Sequence, residues 1–124
     1  MKALLIDDSK AARAILRMVL LQAGFSEILE AGDGVEGLAK LRAAGALDCV
    51  LVDWYMPEMD GRDFVRAVRA DASFDALPVV MVTSESDPAM MASALLAGAS
   101  EYIVKPFTRQ AICEKLQIVG LSLA

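Results

Sequence analysis

Residues Cys49–Gly61 read CVLVDWYMPEMDG. The first four form a short, unbroken apolar run, too short for a helix and without the alternation of a half-exposed strand. Such a run marks a strand covered on both faces, as in a parallel sheet. Yet it ends on a carboxylate, Asp53, for which a buried strand has no structural use. Met56-Pro57 stiffens the turn that follows. Asp60-Gly61 then opens a helix, with Asp60 as its cap and Phe64, Val65 and Val68 as its core positions. Why Asp53 is charged depends on what else the chain brings to the same place.

Outward from this stretch, short apolar runs alternate with longer amphipathic ones. ALLID (3–7) reads as a first strand. A helix over 9–23 follows, with Ile15, Leu16, Val19, Leu20 and Ala23 on one stripe and Gly24 as its stop signal. EILEA (27–31) is a weaker second strand. Asp33 caps the next helix, with Glu36 three residues on as in a capping box, and Gly45 lies just past its end. CVLVD (49–53) is the third strand and PVVMVT (78–83) the fourth. Asp87-Pro88 has the chemistry of a helix start, and Gly98 ends that helix. YIV (102–104) is the fifth strand. Thr108 caps a last helix with Ile112, Leu116 and Val119 inward. Five strand–helix units predict an α/β fold: a doubly wound, five-stranded parallel sheet with right-handed crossovers and helices on both faces. The predicted strand order is the flavodoxin-like 2-1-3-4-5. No linker, repeat or low-complexity segment divides the chain, so residues 1–124 read as one domain.

Composition narrows the function. A 124-residue chain that is 56% hydrophobic has enough apolar surface for a single core. The net charge of −5 and the lack of a Lys/Arg cluster argue against direct nucleic-acid binding. No apolar run approaches the ~18 residues of a membrane span. Asp7 and Asp8 interrupt the N-terminal apolar stretch before it could serve as a signal sequence. The expectation is a cytoplasmic protein with no membrane insertion. The chain has no histidine, which removes most zinc sites, Ser-His and Cys-His catalysis, and a phosphohistidine of its own. Cys49 and Cys113 read as reduced packing residues.

In a doubly wound sheet, ligands bind outside the carboxyl ends of the strands, near the point where strand order reverses. Asp7-Asp8 stand at that end of the first strand, Asp53 of the third, Thr83-Ser84 of the fourth and Lys105-Pro106 of the fifth. Taken singly, each has an ordinary reading: a helix cap, a turn former, a strand-end hydroxyl, a solvated lysine. Their arrival at successive strand ends on one rim is what a chance pattern does not explain. Three carboxylates held together repel one another unless a cation is present. Hard oxygen ligands, without imidazole or thiolate, point to Mg²⁺. Lys105 adds a fixed positive charge and Thr83 a hydroxyl. Cation, ammonium and hydroxyl aimed near one carboxylate suit phosphoryl transfer, in which catalysis is mostly positioning and electrostatic stabilisation. The nucleophile can then be a carboxylate oxygen, giving an acyl phosphate, with Asp53 the central candidate.

The pieces DDS (7–9), DWYMPEMDG, LPVVMVTSE (77–85), AGASEYIVKPF (97–107) and the EKL of the last helix together resemble the receiver domain of two-component response regulators, most closely the single-domain, CheY-like chemotaxis type. The resemblance runs over essentially the whole chain. It implies a signalling phosphoacceptor that assists its own phosphorylation and dephosphorylation, not an enzyme acting on a separate substrate. Asp53 corresponds to the phosphoacceptor. Asp8 and Asp53 correspond to direct Mg²⁺ ligands, with the Tyr55 backbone carbonyl a third and Asp7 acting through water. Lys105 matches the lysine that pairs with the phosphoryl group, and the Lys105-Pro106 peptide is expected to be cis. Thr83 and Tyr102 match the switch pair that remodels the face made by helix 4, strand 5 and helix 5. Implied partners are a sensor histidine kinase or histidine phosphotransfer protein and a downstream protein read by that face, with the chain a monomer or a weak phosphorylation-dependent dimer. A phosphorelay intermediate, or the receiver part of a longer regulator, is the alternative role.

Some residues depart from the nearest relatives' pattern. Tyr55 stands where they often have a smaller polar residue, and both its ring and Glu85 are placed to act on a hydrolytic water. Helix 4 begins DPAMM without lysines, and Met90, Met91 and Leu96 are candidates for an apolar docking patch as well as for core packing. GDGVEG (32–37) also fits G-x-G-x-x-G, with Asp53 about 20 residues on, as a dinucleotide site would require. Asp33 and Glu36 would place the wrong charge in a pyrophosphate cradle. A small-molecule phosphotransferase would favour a second Asp at position 55. An inert interaction module would not need the whole Asp8, Asp53, Thr83 and Lys105 set.

Overall fold

Side chains along the three central strands alternate between two buried layers. The computed structural model describes residues 1–124. Its strands are β1 (Lys2–Ile6), β2 (Glu27–Ala31), β3 (Cys49–Val52), β4 (Val79–Thr83) and β5 (Glu101–Val104). Between and after them lie α1 (Lys10–Gln22), α2 (Gly34–Ala43), α3 (Gly61–Arg69), α4 (Pro88–Ala97) and α5 (Arg109–Ile118). A 3-10 turn at Ala72–Phe74 leads into β4, an element the sequence pattern did not signal. The sheet is parallel throughout, in the order β2-β1-β3-β4-β5.

Leu4, Ile6, Val50, Val52, Val79, Met81 and Tyr102 face one core with α2, α3 and α4. Ala3, Leu5, Cys49, Leu51, Val80, Val82 and Ile103 face the other with α1 and α5. This two-sided cover explains why β1, β3 and β4 read as unbroken apolar runs. Cys49 and Cys113 are both free; burial, then the neighbouring Asp48, pushes the Cys49 thiol up to about 12, as befits a packing residue.

One sequence expectation needs correcting. Ile15 is not in the core but 55% exposed, while Leu16, Val19 and Leu20 are buried. One helical position is a 100° turn, enough to carry Ile15 off the buried stripe. The cap of α1 is Ser9, whose hydroxyl accepts from the Ala12 N–H at 3.2 Å, so neither Asp7 nor Asp8 is spent on capping. The other predicted caps hold: Asp33, Asp60, Asp87 and Thr108 each accept a backbone N–H of the first turn.

The G-x-G-x-x-G segment serves packing. A Cβ on Gly34 would meet the Met59 backbone oxygen at 2.7 Å, and one on Gly37 would meet Ile6 Cδ1 at 2.5 Å. Glu36 turns back to accept the Gly32 N–H at 3.1 Å. The helix N-terminus is filled by the chain's own carboxylate and by Met59, leaving no cradle for a pyrophosphate.

Gly61 is where the scaffold meets Asp53. Its N–H donates to the Trp54 carbonyl at 2.7 Å, and a Cβ there would lie 2.1 Å from the Asp53 backbone oxygen. No side-chain rotation relieves a clash with backbone. Gly61→Ala is therefore expected to lower unfolding stability by about 1–3 kcal/mol. Urea denaturation checks this, and a variant as stable as the wild type would contradict the close approach.

Candidate functional site

Each key residue stands one step past its strand yet stays on the hydrogen-bond ladder. The Asp7 N–H donates to the Ala31 carbonyl at 3.1 Å, that of Asp53 to Ile6 at 2.9 Å, and that of Lys105 to Thr83 at 2.8 Å. The side chains thus leave the sheet at its carboxyl edge on backbone as rigid as the strands themselves. The sequence reading placed Asp7 and Asp53 inside β1 and β3; the ladder hydrogen bonds explain why the boundary matters little.

The structure brings Asp7, Asp8 and Asp53 together, with one carboxylate oxygen from each lying within 4.8 Å of the others. Lys105 Nζ joins two of them, at 2.8 Å from Asp7 Oδ2 and 3.2 Å from Asp53 Oδ2. Burial alone would lower the Lys105 pKa; its bonds to Asp7 and the charge of Asp53 outweigh this and hold it above the ordinary value. Asp7 is buried and fully engaged, because its Oδ1 accepts the Ser9 N–H at 2.9 Å. Asp53 Oδ1 accepts the Trp54 N–H at 2.7 Å. Asp8 is exposed and makes neither an ion pair nor a hydrogen bond through its side chain. The Tyr55 carbonyl also accepts no hydrogen bond. The three carboxylates form an all-oxygen donor set, which fits Mg²⁺ and offers nothing to a softer metal.

Thr83 is fully buried at the end of β4, and its hydroxyl accepts the Glu85 N–H at 3.4 Å without bonding to Asp53. Tyr102 lies inward, its hydroxyl donating to the Glu85 carbonyl at 2.7 Å. The two switch candidates therefore meet the same residue of the β4–α4 loop. Lys105-Pro106 is a cis peptide, as the resemblance implied. Tyr55 is exposed; desolvation, then the neighbouring Glu85 carboxylate, raises its pKa. Trp54 is only 2% exposed, stacks near Tyr55 at 6.0 Å between centroids, and carries the Arg62 guanidinium 5.9 Å from its ring centroid.

Two arginines escaped the sequence reading. Arg62 ties α3 to α4 through Nη1 and Ser93 Oγ at 3.1 Å. Arg13 Nη1 donates to the Asp7 carbonyl, and its Nε to Glu30 Oε1 at 2.9 Å. The signal for Arg13 was present: it continues the buried Leu16–Leu20 stripe at helical spacing, a charge where an apolar residue belongs.

Burial, then the negative charge of Glu85, pushes the Tyr102 phenol up to about 12. The folded state holds this proton to higher pH than the unfolded chain, whose phenol titrates near 10. The resulting stabilisation is complete below that pH and is lost as pH rises through about 12. A near-ultraviolet phenolate titration is expected to show one tyrosine ionising only near the alkaline unfolding transition, and Tyr102→Phe to remove that phase. Ionisation of both tyrosines at the free-tyrosine value would contradict the inward placement.

The comparisons with known proteins agree with this geometry. A family model described as the response regulator receiver domain matches residues 3–117. The chain is 44% identical over 119 residues to the chemotaxis protein CheY1 of Helicobacter pylori, covering 96% of both. Among solved structures, CheY4 of Vibrio cholerae matches with a TM-score of 0.87 at 36% identity, covering 95% of this chain and 97% of that one. A chain of the Borrelia burgdorferi CheX–CheY–BeF3–Mg²⁺ complex matches with a TM-score of 0.89 at 25% identity, covering 98% of this chain and 90% of that one. The chain belongs to the response regulator receiver domains, and its relatives over nearly its whole length include CheY-type chemotaxis proteins.

Proposed function

We propose that this receiver accepts a phosphoryl group on Asp53 from the phosphohistidine of a kinase or phosphotransfer protein and converts it into a change at the α4–β5–α5 face. The observation that carries this reading is the Lys105 ammonium set between Asp7 and Asp53 in a pocket of three carboxylates. A structural ion pair needs one carboxylate; the others fit a cation that shares the site.

An Asp53 carboxylate oxygen attacks phosphorus in line, the P–N bond to the donor imidazole breaks, and the imidazole leaves with its electron pair. Asp8, Asp53 and the Tyr55 carbonyl would hold Mg²⁺ directly, with Asp7 reaching it through water. Bound there, the cation would neutralise charge on the transferring phosphoryl oxygens. Lys105 pairs with another of those oxygens. The Trp54 N–H already holds Asp53 Oδ1, which orients the opposite oxygen as nucleophile.

The product carries roughly −1.5 to −2 charge. That charge draws the Thr83 hydroxyl toward it and away from the Glu85 N–H. Because Tyr102 bonds the Glu85 carbonyl, the β4–α4 loop and the aromatic ring respond together. A bias of a few kcal/mol is enough to shift such a two-state element. The face that moves is apolar: Leu96 is 89% exposed and Leu95 is exposed, while Met90 and Met91 are partly buried against the core. The docking patch is thus Leu95 and Leu96, and the two methionines mainly pack. Tyr55 and Glu85 flank the mouth of the site and would set how readily water reaches the acyl phosphate. Chemotaxis is the pathway that the relatives favour, and the Borrelia burgdorferi complex makes a CheX-like protein one candidate partner.

Titrating MgCl2 and then acetyl phosphate is expected to change Trp54 fluorescence in two steps and to add one phosphoryl group by intact mass. Asp53→Asn should keep a weakened Mg²⁺ step and lose the second step entirely. An Asp53→Asn variant that still gains mass would overturn the assignment.

A further inference from the structure

Asp7 is held at every polar atom, but its neighbour Asp8 is not. The Asp7 N–H is on the Ala31 carbonyl, Oδ1 on the Ser9 N–H and Oδ2 on Lys105. The remaining group, the Asp7 carbonyl, is held by Arg13 Nη1. That carbonyl belongs to the peptide plane from which Asp8 projects. Asp8 has no side-chain partner of its own, so this plane is what fixes its direction toward the other two carboxylates.

Arg13 is well placed to hold it. Its side chain is only 14% exposed, and Nε is anchored on Glu30 Oε1 at 2.9 Å in β2. The planar guanidinium therefore bridges two fixed points, which a lysine could not do with the same geometry. Arg17, one turn on, meets the same Glu30 carboxylate at 3.4 Å and the Ile28 carbonyl at 3.1 Å, and does not touch Asp7.

We infer that Arg13 is a positioning residue for the acidic pocket, setting the Asp7-Asp8 peptide so that Asp8 is aimed at the cation. The inference rests on the Mg²⁺ reading of the site. It makes an unusual demand on sign. Arg13 is a positive charge near a cation site, so charge alone would make its removal tighten Mg²⁺ binding. Positioning requires the reverse. Partners that orient a metal ligand from behind typically contribute about tenfold or more in affinity.

The experiment is a MgCl2 titration read by Trp54 fluorescence in the full chain, for the wild type, Arg13→Gln, Arg13→Lys and Arg17→Gln. Both Arg13 variants are expected to bind about tenfold more weakly or worse; Arg17→Gln should match the wild type. A second readout needs no metal: the ¹⁵N resonance of the Asp8 amide, whose peptide carbonyl loses its donor, should move in the Arg13 variants and stay in Arg17→Gln. Should Arg13→Gln fail to fold, Arg13→Lys, which keeps the charge and the aliphatic stem, carries both readouts. Unchanged or tighter Mg²⁺ binding in the Arg13 variants, or a stationary Asp8 amide, would overturn the inference. A wild-type chain that does not bind Mg²⁺ would overturn the site reading instead, and the Asp8 amide would still report whether Arg13 holds the peptide.

Discussion

The ammonium of Lys105, held between Asp7 and Asp53, is the constraint on which the rest of the site depends. It joins the ends of β1, β3 and β5, which are distant in sequence and meet only because the sheet order is 2-1-3-4-5. As a source of stability such a pair is unremarkable, because desolvating the charges offsets much of their attraction. As a way of fixing geometry it is effective. One cation pins two carboxylates, leaves Asp8 without a side-chain partner, and has its own proton affinity raised in return.

Around that centre lie a part tied to the sheet ladder and a part on which the proposed switch would act. In the first, Asp7, Asp53 and Lys105 are each tied by a backbone N–H to the neighbouring strand. Gly61 closes the β3 turn against the Asp53 carbonyl, and only a residue without a side chain fits. The part that the proposed switch would move is the β4–α4 loop and α4. Of that helix only Ala94 is fully buried, with Met90, Met91 and Ala97 half-buried against the core. Its polar tether is Arg62 on Ser93, from a guanidinium that also lies over Trp54. Such partial burial suits an element that the proposed switch would shift.

Much of this was legible in the residues. The unbroken apolar runs of β1, β3 and β4 gave a doubly covered sheet. A charge or hydroxyl at the end of four strands gave the site, because the sheet order leaves those ends nowhere else to go. The periodicity was less informative for helices. In α1 the apolar positions outnumber those that the sheet can cover, so Ile15 looked buried and is not. In α4, PAMMASALLA is apolar all round, and no pattern distinguishes its packed side from its exposed one. Arg13 was hidden by the opposite habit, that of treating every charge on a helix as solvated. The cis Lys105-Pro106 peptide came from the resemblance to the receiver family, since sequence physics alone permits either isomer.

The claim that Asp53 is the phosphoacceptor is tested most directly by trapping the product. After reaction with acetyl phosphate and Mg²⁺, borohydride reduces an aspartyl phosphate to homoserine, which tandem mass spectrometry locates to a single residue. Homoserine at position 53 alone is the expected result. Homoserine at Asp7 or Asp8, or none in a chain that has gained phosphoryl mass, would contradict it.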